Sequence, residues 1–159
     1  MQSSELASGG TEHPLERRAT TLYITAAVMS LIGLADAIYL TIQHLTGQSV
    51  RCTVVAGCQE VLGSHYATVR GIPLALLGVA AYFAVFSLAT LAAFGYRLAG
   101  RLMVIVVELM FLTTLWLLYL QAFVIRAFCQ FCLLSALVTV TLTALVAIAT
   151  RITVKRSMP

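Results

Sequence analysis

Four cysteines are the residues here whose type and spacing could do chemistry. Cys52 and Cys58 lie six positions apart, and Cys129-Gln130-Phe131-Cys132 is a C-x-x-C run. At a helix start, thiols three residues apart share one face with Cβ atoms about 5–6 Å apart, near the separation a disulfide closes. Unpaired N–H groups and the helix dipole favour the thiolate there, so such a pair is nucleophilic. The first pair is separated by Thr53-Val54-Val55-Ala56-Gly57, at most ~20 Å when extended. With Gly57 for flexibility it can close into a disulfide or swing apart. A mobile pair beside an anchored pair suits a relay in which thiolate attacks disulfide stepwise. Two inert disulfides or a four-thiolate metal centre would use the same residues. The first pair lacks the two-to-four-residue spacing usual for zinc, so no metal ligand is assigned.

The elements that must position these thiols follow from composition. Of 159 residues, 60% are hydrophobic and 10% charged, against about half and a quarter in soluble domains. A chain this short buries only about 60–70% of the surface it exposes when unfolded, so the apolar surplus must face lipid. A cytosolic enzyme, a nucleic-acid binder and a disordered protein are excluded. The net charge of +4 is scattered between apolar runs, as membrane-flanking charge is. The fold class is therefore an all-α integral membrane protein, a four-transmembrane-helix bundle with an outward cysteine-bearing loop. Four runs reach the ~20 residues needed to span: about 19–42, 72–94, 102–125 and 127–150. Helices satisfy every backbone group internally.

Lys and Arg set the orientation. Arg17, Arg18, Arg97, Arg101, Arg151, Lys155 and Arg156 fall on one side, and Arg51, Arg70 and Arg126 on the other. The positive-inside rule then places both termini in the cytoplasm and all four cysteines at the outer face. That side is oxidising, which suits disulfide chemistry. The first run is too long and too late for a cleaved signal peptide. Residues 1–16 read as a flexible cytoplasmic tail, 17–152 as the membrane domain and 153–159 as a second cytoplasmic tail. The segment from about Gln43 to Gly71 is long enough to be functional.

Beyond the cysteines, the matching residues are Gly57-Cys58-Gln59-Glu60-Val61-Leu62-Gly63-Ser64, then Gly71-Ile72-Pro73-Leu74 with Gly78, and the C-x-x-C opening span four. In these the chain resembles the bacterial homologues of vitamin K epoxide reductase from span one through span four. The resemblance implies a four-helix bundle around a quinone (menaquinone or ubiquinone), capped by the cysteine loop with a short helix before span two. It implies a membrane thiol oxidase that reoxidises a separate DsbA-like thioredoxin-fold protein and passes two electrons to quinone, supporting extracytoplasmic disulfide formation. Cys52 and Cys58 would be the shuttle, Cys129 and Cys132 the active pair with Cys132 nearest the quinone, and Ser64 a supporting residue. Where the animal enzymes carry a tyrosine, a turn after the C-x-x-C, this chain has Ala136. Where they carry an asparagine near the start of span two, Leu74 or its neighbours stand here. Quinone rather than epoxide is the expected acceptor.

Asp36, about 9 Å inside span one, is a candidate proton donor, since intramembrane acids are functional by default. Glu108 is expected to make a structural hydrogen bond, and His44 and His65 to be surface residues. Gly71-Ile72-Pro73 reads as a helix start with Pro73 in the first turn. Trp116, Tyr119, Phe123, Phe128 and Phe131 read as an aromatic belt. A DsbB-like oxidase would carry its C-x-x-C in the first outer loop instead. A soft-metal carrier is the alternative from another class, because paired thiolates bind Hg(II) or Cu(I).

Overall fold

The structure, a computed structural model, describes residues 14–47, 50, 52, 57–69 and 71–157. Residues 1–13 of the expected N-terminal tail, Arg51, Arg70 and residues 53–56 lie outside the described residues. Among the described residues five α-helices carry the fold: α1 (Pro14–Thr46), α2 (Cys58–Leu62), α3 (Leu74–Ala93), α4 (Arg97–Tyr119) and α5 (Gln130–Ser157). Four of them are long and apolar enough to cross a membrane, α4 together with the turn that follows it.

α1 packs on α3 and α5, and α4 packs on the same two helices. The four therefore close a ring around one core. Its buried members include Ala26 and Ala37 of α1, Tyr82 and Val85 of α3, Met103 and Val107 of α4, and Val138 and Leu142 of α5. Small residues permit the close α1–α3 approach. The Tyr82 ring lies where a Cβ on Gly33 would stand. The opposite faces turn Ile24, Val28, Ile105, Leu112, Val140 and Ile148 outward, an arrangement that is stable only if lipid covers them.

The connections differ in length and design. The α3–α4 turn is three residues long, because Gly95 at φ 92° ends α3. The Gly95 N–H bonds the Ala92 carbonyl and the Tyr96 N–H bonds the Leu91 carbonyl, the Schellman pattern that satisfies terminal carbonyls. After α2, a 3-10 turn (His65–Ala67) leads into a two-stranded hairpin, β1 (Thr68–Val69) and β2 (Ile72–Pro73), paired antiparallel with Thr68 opposite Pro73. Gly71 turns this hairpin at φ 81°. Ile72 and Pro73 thus belong to a strand, and Pro73 sits at the N-cap of α3 with ψ 132°, not inside the first turn as its sequence suggested. The extended backbone is paired before the helix can start.

The segment leaving α4 changes pitch. Leu120–Ile125 forms a π-helical turn, and Arg126 follows at φ 56° in the left-handed region. Residues 126–129 are non-helical, so α5 begins at Gln130.

Candidate active site

Cys129 stands one residue ahead of α5, at its N-cap. Its carbonyl accepts the Leu133 N–H at 3.0 Å, the first bond of the helix. The backbone N–H groups of Phe131 and Cys132 point at its sulfur, as N–H groups two and three residues on do at an N-cap. The Cys132 thiol, donating to the same sulfur, is the largest influence. It brings the Cys129 pKa from 9.0 to about 7 against the opposing effect of burial. The expectation that both cysteines lie within the helix is corrected. Cys129 caps it and Cys132 sits in its first turn, because the π turn and Arg126 use up the preceding residues.

Cys52 and Cys58 are joined in a disulfide with Cα atoms 6.1 Å apart, while Cys129 and Cys132 are free thiols. The sulfurs of Cys52, Cys58 and Cys129 all lie within 4.8 Å of one another. Cys58 and Cys129 are fully buried in one cluster with Val61, and Leu62, Ile125 and Phe131 pack against it. Cys52 is half-buried. Gly57 makes this closeness possible: a Cβ there would lie 2.8 Å from the backbone N and O of Phe128. The loop thus rests backbone against backbone on the segment that carries Cys129. Three sulfurs this close resemble a soft-metal donor set, but the disulfide commits two of them and leaves Cys129 alone as a free ligand.

Below the sulfurs lies a cavity of about 400 Å³ bounded by all four long helices and by the loop. Cys132 lines it, together with Asp36, Ser64, Tyr82, Gln121 and Ala136. Among the described residues Cys129 is not part of that lining. Ser64, the N-cap of the 3-10 turn, donates its hydroxyl to the Val61 carbonyl at 2.7 Å and so braces the end of α2. Asp36 is 8% exposed, and its Oδ2 has no hydrogen-bond partner among the described residues. A buried carboxyl oxygen without a partner costs free energy, so a ligand able to bond it is favoured in the cavity. The Tyr82 hydroxyl is instead satisfied, 2.7 Å from Ser135 Oγ and 3.2 Å from Thr139 Oγ1.

Other sequence-selected residues are placed elsewhere. His65 is exposed; His44 is exposed too but borders the cavity mouth. Glu108 is exposed on the outside of α4, and among the described residues it does not make the structural hydrogen bond expected of it. Its position puts it on the face away from the ring. Trp116, Tyr119 and Phe123 form an outward-facing aromatic run with successive ring centroids 6.0 and 5.1 Å apart. Phe131 packs on Tyr39 at 5.2 Å and ties α5 to α1.

Gln121 escaped the sequence reading altogether. It is 3% exposed, and its Oε1 accepts the Cys129 N–H at 3.2 Å. Its signal was a lone amide within an apolar run. Amides are common enough in such runs that nothing marked this one.

The sequence matches the vitamin K epoxide reductase family over residues 24–147, which takes in all four cysteines, α3 and α4 entire and most of α1 and α5. The chain belongs to that family. Vitamin K epoxide reductase homologues are multi-pass membrane thiol–disulfide oxidoreductases with redox cysteines, linked to quinones as a family. In this member the outward-facing apolar helices, the formed disulfide and the adjacent free pair are the corresponding parts.

Proposed function

We propose that this protein oxidises a separate thioredoxin-fold protein on the outer face of the cell membrane and delivers the electrons to a quinone held beside Cys132. The observation that carries the reading is the division of the two free thiols. Cys129 has its sulfur within 4.8 Å of both sulfurs of the loop disulfide, and Cys132 lines the apolar cavity. The cavity's size, its apolar walls and the unpartnered Asp36 oxygen suit a flat, mostly apolar ring with polar substituents. Ala136 and Leu74 line it where tyrosine and asparagine would favour an epoxide. Bound there, a quinone takes up two electrons and two protons and leaves as quinol.

Electrons enter at Cys52, the more accessible loop sulfur, when a partner thiolate attacks it and breaks its bond to Cys58. A second partner thiol then releases the reduced loop pair and leaves the partner oxidised. Cys58 in turn attacks Cys129 of an oxidised Cys129–Cys132 pair, freeing Cys132. Cys52 then resolves the Cys58–Cys129 bridge, which restores the loop disulfide and leaves both C-x-x-C thiols reduced. When Cys129 and Cys132 close again, they lose the two electrons and two protons that quinone reduction requires. Asp36, facing the cavity, is the residue placed to pass a proton there, and Ser64 holds the floor of the loop. With seven Lys and Arg on one side, both termini face the cytoplasm.

Cys132→Ser is the test. It is expected to abolish quinone reduction, because Cys129 then has no disulfide for Cys58 to attack. Cys52→Ser, which lacks the resolving thiol, is expected instead to accumulate a Cys58–Cys129 bridge, visible on non-reducing gels and assigned by mass spectrometry. Near-normal quinone turnover in Cys132→Ser would refute the assignment.

A further inference from the structure

The geometry points to Gln121 as the residue that makes the two free cysteines unequal: its carbonyl oxygen fixes Cys129 at the helix cap, while its amino group donates to the Cys132 sulfur facing the cavity. The hydrogen-bond directions require this division. A backbone N–H can only donate, so the side-chain atom meeting the Cys129 N–H at 3.2 Å is the oxygen. The remaining end of the amide is the NH₂ group, which can only donate. Cys132 lines the same cavity as this amide, and of the two groups the NH₂ can only donate, so in this pairing the sulfur is the acceptor.

Local backbone structure aims the amide. Gln121 is the second residue of the π turn Leu120–Ile125. A π turn rotates its residues relative to a continuous α-helix, and such turns are frequent at functional sites. Here Leu120 and Gln121 are both buried, while Phe123 and Val124 face outward. The amide is held between the cap and the cavity, and it lines the latter. A donor aimed at sulfur strengthens as the sulfur gains negative charge. Gln121 therefore supports Cys132 as its sulfur gives up its proton in the reaction. Through its oxygen it also keeps Cys129 turned toward the loop pair. The inference rests on Cys132 being the quinone-facing thiol.

Two variants of the full-length protein separate these roles. Gln121→Met keeps the volume and removes both hydrogen bonds. Gln121→Glu keeps the acceptor for the Cys129 N–H; studied at pH 9, with its carboxylate ionised, it lacks the donor. Asp36, His44, Tyr66, Tyr82 and Cys132 are the titratable groups lining the same cavity, with Cys129 beside it, and all are common to the variants and the parent. In reduced, quinone-free protein, iodoacetamide labelling of Cys132, located by tandem mass spectrometry, should slow about tenfold or more in both variants. Single-turnover reduction of a short-chain quinone should slow in parallel. Thiol exchange between the loop pair and Cys129 should stay within about threefold of the parent in Gln121→Glu, because the cap is kept. Parent-like labelling of Cys132 in either variant would overturn the inference, as would equal slowing of exchange and quinone reduction in Gln121→Glu. The Cys132→Ser result is independent: if that variant still turned over quinone, the proposed function would fail, whereas a dead Cys132→Ser beside a parent-like Gln121→Met would sink only the role of Gln121.

Discussion

Three donors converge on the Cys129 sulfur and lower its pKa: the Cys132 thiol and the N–H groups of Phe131 and Cys132. The Cys132 thiol is the largest of these and can be removed alone. A thiol with pKa near 7 is about half ionised at pH 7, one near 9 only about 1%. Removing a donor that lowers the pKa must therefore reduce the thiolate at neutral pH and change little at pH 10. In a Cys52→Ser, Cys58→Ser background, Cys132→Ala should slow iodoacetamide labelling of Cys129 at pH 7 by ~10-fold or more, with the difference closing by pH 10. Equal rates at pH 7 would mean that the helix cap alone sets the reactivity. The four cysteines were legible in the sequence because their chemistry is carried by residue type. Gln121 was not, since an amide acquires its role only from what it faces, and that depends on a π turn with no mark in the sequence.

At the scale of elements, the loop and the C-x-x-C segment meet without side chains between them. The contact of Gly57 with the Phe128 backbone leaves no room for a methyl group, and backbone cannot step aside as a flexible side chain can. Gly57→Ala should therefore lift the loop pair from Cys129 at a cost of about 1–3 kcal/mol. Loop-to-Cys129 exchange should fall about tenfold or more, while the Cys52–Cys58 disulfide still forms. Stopped-flow exchange and thiol counting would measure the two effects; unchanged exchange would show that the loop reaches Cys129 another way. Gly57 had been read as a source of flexibility, whereas the structure uses it for close approach. The start of α3 was misplaced for a related reason. Gly71-Ile72-Pro73 suits a helix start and a hairpin equally, and pairing with Thr68 and Val69 decides between them.

For the whole molecule, four helices joined end to end alternate in direction, which puts the α3–α4 turn at the opposite end of the bundle from Cys129. Impermeant thiol reagents should label Cys52 in intact cells after reduction, while Gly95→Cys and Ser157→Cys stay protected; the reverse pattern would invert the orientation. The four spans were legible because length and apolarity alone define them. The ring order was not, since apolar helices in lipid choose neighbours by small-residue packing such as Gly33 against Tyr82. One feature of that ring bears on kinetics. The cavity wall includes Leu77 and Leu109, both about half exposed at 48% and 60%, so the chamber borders the hydrocarbon phase as well as the loop side where His44 stands. A quinone bound there, as the proposed function has it, arrives from that side by lateral diffusion in two dimensions. Saturation is then governed by the number of acceptor molecules per lipid, and diluting the vesicles with buffer leaves it untouched while diluting them with extra lipid does not.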